Sequence, residues 1–369
     1  MPTFNYKILL TLAILFLILT LGLDYYFFNI PLINDIQPSF SSIYLLRSGL
    51  ILTSSACLIM AITSSNNSLE SQQSELNHTF RVWGETKWSL NKHQFIICRA
   101  KLMLFIIALS SSFYTLLFLH NSYAYSLLSY EDGLIETSSA IFTALSGVIF
   151  VYLAWQINNK KYQQKITMIS SAIFLSGIFF LITLEEISWF QRIFDIPLPS
   201  HFELNEQFET NLHNFATDES ELIYYIGSFV FLILLPFIYS QHQHWSRISG
   251  LTFFIPRPFI IFSSSVFIAY NYDMWNNLFI QFSFFTTLFI LSYYLIEHIK
   301  NGFEYELISI LIALLIAQQL LFIIFGEEFK RLWEVTEYKE FYISLAFLIY
   351  SLDTLSAMES GKWKMENNF

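Results

Sequence analysis

The chain has 369 residues, of which 54% are hydrophobic and 13% charged, with 40 Phe, 21 Tyr and a formal net charge of -10. Soluble domains carry about 25% charged residues, so water is not the main solvent of this chain. The negative balance and the lack of any Lys/Arg-rich run set nucleic-acid binding aside. No stretch is long and polar enough for a separate soluble domain, so residues 1–369 read as a single integral membrane domain. The two cysteines, Cys57 and Cys98, lack CxxC or Cys/His spacing and read as packing residues.

A helix needs about 20 mostly apolar residues to cross the hydrocarbon core. The first candidate, 8–28, follows Lys7 and imitates a signal peptide, but no small-x-small cleavage site comes after it, so it reads as an uncleaved helix. Further spans are expected at 43–63, 102–120, 134–157, 166–184, 222–240, 253–270, 278–296, 307–325 and 341–358. The seventh is the weakest, because Pro256, Arg257 and Pro258 stand at its start, and a re-entrant course is the alternative.

Cytoplasmic loops carry an excess of Lys and Arg. With the N-terminus inside, 14 of the 19 basic residues fall on cytoplasmic segments. The opposite side keeps Arg47, Arg192, Lys330, Arg331 and Lys339, and its loop 185–221 holds nine acidic residues against one arginine. The expected fold is therefore all-α: a polytopic transmembrane helix bundle of about ten spans with both termini cytoplasmic. Residues 64–94, which include Trp83 and Trp88, form a cytoplasmic interfacial loop in this reading, and residues 185–221 an extracytoplasmic acidic loop. Asn66 and Asn77 begin N-x-S/T triplets whose glycosylation would contradict this orientation.

Four polar features collect on the extracytoplasmic side. Tyr130 to Glu136 enters span four, and a helix starting by Asp132 would put Asp132 and Glu136 on one face; the plainer reading of Glu131 and Asp132 is complementation of the helix dipole. Leu184 to Arg192 leaves span five. Its Glu185, Ser188 and Arg192 share a face at helical spacing, whereas Glu186 points elsewhere. Carboxylates at a helix C-terminus oppose the dipole, so they need a partner or a purpose. In Asn205 to Asn214, an extended chain would project Asn205, Gln207, Glu209, Asn211 and His213 to one side, and a helix would pair Glu209 with His213. Gly326 to Glu334 offers Glu327/Arg331 and Lys330/Glu334 pairs and reads as an amphipathic interfacial helix. It shares a Glu-Glu helix ending with Leu184-Glu185-Glu186, a faint sign of internal repetition.

The stretch Glu185-Glu186-Ile187-Ser188-Trp189-Phe190-Gln191-Arg192 followed by Asn205-x-Gln207-x-Glu209-x-Asn211-Leu212-His213-Asn214, with Glu131-Asp132-Gly133-x-x-Glu136 ahead of it, resembles an uncharacterised family of bacterial multi-pass membrane proteins. The resemblance covers roughly residues 130–215 and implies location in a bacterial cytoplasmic (inner) membrane. It implies no activity. Where the family carries glycine this chain has Phe190, a departure that bears on close packing at that point.

These features suggest a carboxylate/His site at the extracytoplasmic membrane boundary. One reading is an enzyme, hydrolase or transferase, acting on a lipid or lipid-linked substrate. Glu136, Glu186, Glu209 and His213 would then be the catalytic acid/base candidates, with Arg192, Asn211, Gln207 and Trp189 binding substrate. A divalent metal held by Glu185, Glu186 and His213 is a variant of it, although no HExxH or comparable spacing supports one. A transporter or ion-coupled carrier is the alternative: the chain has only 11 Gly and 8 Pro, but Gln281, Gln318 and Gln319 lie within spans. A non-catalytic assembly or sensory subunit is the third reading. Membrane lipids are the expected partners, and the sequence singles out no protein partner.

Overall fold

The computed structural model describes residues 5–28, 38–66, 90–130, 133–160, 162, 164–191, 194–202, 210–212, 215–241, 252–300 and 305–359, with the side chains of 66, 90–101, 201 and 252 excepted. Every regular element among them is helical: α1 (Tyr6–Leu23), α2 (Ser42–Asn66), α3 (Leu90–His120), α4 (Ser122–Leu128), α5 (Leu134–Asn158), α6 (Lys165–Glu186), α7 (Thr217–Gln241), α8 (Pro258–Ser264), α9 (Leu278–Lys300), α10 (Glu306–Phe325) and α11 (Glu334–Glu359). Nine of these are long and apolar enough to cross a bilayer, and the seventh expected span is the shorter apolar stretch Pro258–Ala269. The chain is thus a polytopic helix bundle, as expected for a sequence whose backbone polar groups must be satisfied within each crossing segment.

Cross-contacts fix how the helices run. α5 and α6 are antiparallel, with Thr183 Oγ1 donating to Thr143 Oγ1 at 2.9 Å and Ser176 Oγ donating to the Gly147 carbonyl at 3.0 Å. α11 runs parallel to α5, pairing Phe142 with Phe341 and Phe150 with Tyr350. α7 follows the same direction, with Tyr224 beside Ser344 and Phe231 against Tyr350. α3 runs against α11 through Ser110/Tyr342 and Tyr114/Tyr338, and α10 runs with α3 through Ser111/Gln318 and Phe118/Phe322. These directions bring the end of α3, the start of α5, the end of α6, the start of α7, the end of α10 and the start of α11 to one end of the bundle. α1 begins and α11 finishes at the other end.

The Pro258–Ala269 stretch is neither a full-length helix nor a surface hairpin. Arg257 pairs with Asp353 at one end of it, and Asn271 meets Lys339 at the other. It therefore travels beside α11 from the level of residue 353 to that of residue 339, roughly 20 Å along the α11 axis. Residues 260 to 274 are all buried. Pro258 at the first helical turn starts the helix with a fixed φ and no stranded N–H. The last turn tightens to 3-10 geometry at Ser265–Ala269. In α7, Pro236 cannot donate to the carbonyl four residues back, and the helix takes one π turn at Val230–Leu234 immediately before it.

α11 is the central helix. Val335, Tyr338, Tyr342, Ile343, Ala346 and Tyr350 are all fully or nearly fully buried, whereas α1 presents Ile14, Ile18 and Leu19 outward. Exposed aromatics mark both rims. Tyr25, Tyr26, Tyr123, Tyr130, Phe194 and Trp333 surround one end, and Tyr6, Tyr152, Trp155 and Tyr305 the other, as amphipathic rings do at headgroup level.

Three local expectations are corrected. α5 starts at Leu134, with Gly133 as its N-cap, so the helix does not begin by residue 132 as expected; Asp132 itself lies outside the described residues. The Gly133 N–H donates to the Tyr130 carbonyl at 2.7 Å, and a Cβ at Gly133 would lie 2.4 Å from that oxygen. Second, 326–334 is not an interfacial helix: a single 3-10 turn (Gly326–Glu328) is followed by an irregular stretch in which Phe329 is buried against Phe118, Tyr272 and Phe322. Packing an aromatic inward at residue 329 breaks the register that an amphipathic helix needs. Third, α11 begins at Glu334, seven residues before the expected span, which draws Lys339 and Glu340 into the helix. Of the 64–94 loop, residues 67–89, including Asn77, Trp83 and Trp88, lie outside the described residues, while α2 extends to Asn66 and α3 starts at Leu90.

The turn after α10 supplies a test of this packing. A Cβ on Gly326 would lie 1.9 Å from the ring of Tyr272, itself 5% exposed, whereas a Cβ on Gly177 meets nothing within 4 Å. Gly326→Ala is expected to lower stability by about 2 kcal/mol through overpacking, and Gly177→Ala to leave it unchanged or raise it slightly. Thermal unfolding of both variants in detergent checks this.

Candidate functional site

Lys339 lies about one and a half turns inside α11 and is 2% exposed. A buried ammonium costs several kcal/mol unless protein groups replace its water. Its Nζ donates to Asn271 Oδ1 and sits 4.3 Å from the centroid of the Tyr225 ring. Asp273, Glu221 and Glu340 are the negative groups that act on it. Tyr225 in turn donates its hydroxyl to Glu340 Oε1 at 2.7 Å, joining α7 to α11, and Glu221 Oε2 lies 3.2 Å from the same hydroxyl. Asn271, just past the Pro258–Ala269 stretch, is held by Nδ2 donation to the Ile268 carbonyl (2.6 Å) and to Gln319 Oε1 (3.0 Å). Gln319 Nε2 returns a bond to the Asn271 carbonyl at 2.8 Å. The carbonyls at the end of a helix carry partial negative charge, which favours a cation there.

Polar groups continue deeper from this cluster. Ser111 donates to Gln318 Oε1 at 2.6 Å and lies 3.1 Å from the Tyr270 hydroxyl; Ser110 lies 3.0 Å from the Tyr342 hydroxyl. Ser111 and Gln318 fall near the middle of their crossing segments, Leu102–His120 and Glu306–Glu328. Polar side chains therefore line the interior from one end of the bundle to about its centre.

A second buried polar group fastens α1 and α2 to α9. Arg47, 1% exposed, donates from Nε to Asp24 Oδ1 at 2.6 Å and from Nη2 to Oδ2 at 3.0 Å, with Nη1 3.3 Å from Gln281 Oε1. Ser48 also donates to Gln281 Oε1, and Gln281 Nε2 donates to Asn276 Oδ1. The bidentate fork is fully engaged, so this group acts as a structural tie.

Of the residues singled out in the sequence, Glu185, Glu186, Trp189, Asn211 and Glu136 are described, and all stand at the lysine end of the bundle. Glu185 is a clamp: Oε1 accepts from the Trp189 indole at 2.7 Å, and Oε2 accepts from the Leu212 backbone N–H at 2.8 Å. Glu185 and Ser188 do not share a helical face as expected, because α6 ends at Glu186 and Ser188, Trp189 and Phe190 have φ of 50°, 50° and 67°. The same turn is pinned by Thr210, whose N–H donates to Gln191 Oε1 at 2.7 Å and whose hydroxyl donates to the Ser188 carbonyl. Asn211 is buried beside this clamp. Glu186 is turned the other way and acts, with Glu340, on the Tyr224 phenol. Glu136 is half-buried in the first turn of α5. Glu131, Asp132, Arg192, Asn205, Gln207, Glu209 and His213 lie outside the described residues. Among the described residues no three His, Cys, Asp or Glu side chains converge to hold a metal.

Sequence reasoning passed over Lys339, Glu340, Glu221, Tyr225 and Asn271. The signal available was a lone lysine between aromatic residues, Tyr338-Lys339-Glu340-Phe341, directly before an apolar run. The span prediction began after it, which assigned Lys339 to a loop.

The fold and this cluster define a polytopic helical membrane protein with an ionisable interior. Comparison with family models, curated proteins and solved structures gave no match, so function rests on the chemistry of the residues themselves.

Three successive left-handed residues other than glycine are costly, at about 1 kcal/mol or more each. Phe190, 41% exposed, gives up little packing when replaced. Phe190→Gly is expected to leave stability unchanged or to raise it by up to about 1 kcal/mol, whereas Phe190→Val lowers it. Glu185→Ala is expected to release the 210–212 segment of the clamp, giving faster proteolytic cleavage there than in the parent.

Proposed function

We propose that this protein is a membrane carrier for a cation, with Lys339 and the surrounding Glu221, Asp273, Glu340, Asn271 and Tyr225 as its ion-handling site. The observation that carries the reading is an ionisable side chain at the end of a short, interrupted helix in the bundle interior, continued by polar side chains to mid-bundle. Ionisable residues inside membrane bundles mark ion or proton pathways. Helix ends at broken segments are where carriers hold coupling ions. The low Gly and Pro content weighed against a carrier in the sequence, but Pro256 and Pro258 fall at the start of the interrupted segment.

Orientation belongs to the same proposal. Lys7, Lys160, Lys165 and Lys300 stand at the end opposite Lys339, so the positive-inside rule puts the lysine cluster on the extracytoplasmic half of a bacterial inner membrane, and membrane lipids are the surrounding partners. Reporter fusions at residues 161 and 205 should report opposite sides; the same side for both refutes the orientation.

The lipid-directed enzyme stays as a second reading because of one observation: Glu136 and Glu186 are only half-buried at the rim, where Trp189 is 37% exposed. Reconstituted vesicles separate the two. For the carrier, an imposed membrane potential should drive cation flux above protein-free vesicles, with Lys339→Gln and Glu340→Gln reducing it by about tenfold or more, the effect of about 1.4 kcal/mol. Lys165→Gln, at the opposite end, should not change it. A modified lipid without flux would establish the enzyme reading in its place.

A further inference from the structure

We infer that the space around the Lys339 Nζ is a binding seat for an ammonium group, so that the carried cation is ammonium or a primary alkylammonium, with Lys339 filling its own seat in this state. This rests on the carrier reading and names its substrate class.

The polarity of the seat is fixed by groups that cannot exchange roles. The Ile268 carbonyl can only accept, so the Asn271 amide must turn Nδ2 toward it. The Asn271 backbone carbonyl can only accept, so Gln319 must turn Nε2 toward it, leaving Oε1 to accept the second Asn271 bond. Asn271 Oδ1 is thereby committed as an acceptor facing Nζ. The face of Tyr225 lies over the same nitrogen, and Tyr225 cannot swing away, because its hydroxyl is tied to Glu340 and Glu221. The occupant therefore meets an amide oxygen that requires an N–H donor and an aromatic face that attracts a soft cation. Asp273, Glu221 and Glu340 supply the balancing charge. A hard metal ion takes six or more oxygen ligands, and among the described residues no group of three His, Cys, Asp or Glu side chains converges to hold a metal. An ammonium needs only the acceptor oxygen and the aromatic face already present.

Lys339→Ala provides the test, since it removes three methylenes and the ammonium, the equivalent of n-propylammonium. In detergent, n-propylammonium should raise the melting temperature of Lys339→Ala and bind it about tenfold more tightly than it binds the parent chain, whose seat is filled. Tetramethylammonium, which has no N–H, should do neither, and adding Asn271→Leu should abolish the rescue. Equal responses to n-propylammonium and tetramethylammonium would overturn the inference. Should Lys339→Ala fail to yield folded protein, recovery of monodisperse protein only when n-propylammonium is present throughout purification supports the seat. No recovery under either condition, together with parent-level methylammonium uptake in vesicles by Lys339→Met, overturns it. Selective rescue without methylammonium uptake by the reconstituted parent keeps the seat and removes the carrier reading; potential-driven flux of other cations without selective rescue keeps the carrier and removes the seat.

Discussion

An ammonium group cannot enter a hydrocarbon-facing bundle unless protein takes over the work of its hydration shell, and this requirement organises the molecule around Lys339. One helix supplies the lysine, another the aromatic face and a carboxylate, and an interrupted segment supplies the amide oxygen. A third helix holds that amide in place. Each of these elements is positioned by apolar packing, but between helices lipid competes with apolar contact on nearly equal terms. Polar fastening then carries much of the specificity: Lys339/Asn271 and Arg257/Asp353 join elements distant in sequence, and Arg47/Asp24 ties the end of α1 to the start of α2.

The two ends of the interrupted segment show how such fastening sets geometry. Arg257 and Asp353 fix one end and Asn271 and Lys339 the other, so a stretch too short to be an ordinary span is held along α11. The buried course of residues 260–274 leaves its backbone ends inside protein, where irregular backbone is tolerated in membranes.

The crossing helices were legible because hydrophobic length is a strong signal, and the grouping of Glu136, Glu185 and Glu186 at one end followed from counting passes. The 253–270 stretch was legible as apolar but not in its course, since only tertiary partners such as Asp353 and Lys339 define it. The lysine site was hidden for a different reason. Hydropathy places a helix start at the first sustained apolar residue, whereas α11 begins at Glu334 and carries Glu337, Lys339 and Glu340 before that run. The partners of Glu185, the Trp189 indole and the Leu212 N–H, were not legible, because they depend on left-handed residues that no helical periodicity anticipates.

The central position of α11 also bears on the order of assembly. Segments emerge and insert N-terminal first, so α3, α7, the interrupted segment and α10 reach the bilayer ahead of the helix they surround. Until α11 arrives, Ser110, Asn271 and Tyr225 lack Tyr342, Lys339 and Glu340, leaving polar side chains lining a vacancy rather than a core. The half-built bundle carries that open lining until the last described helix closes it.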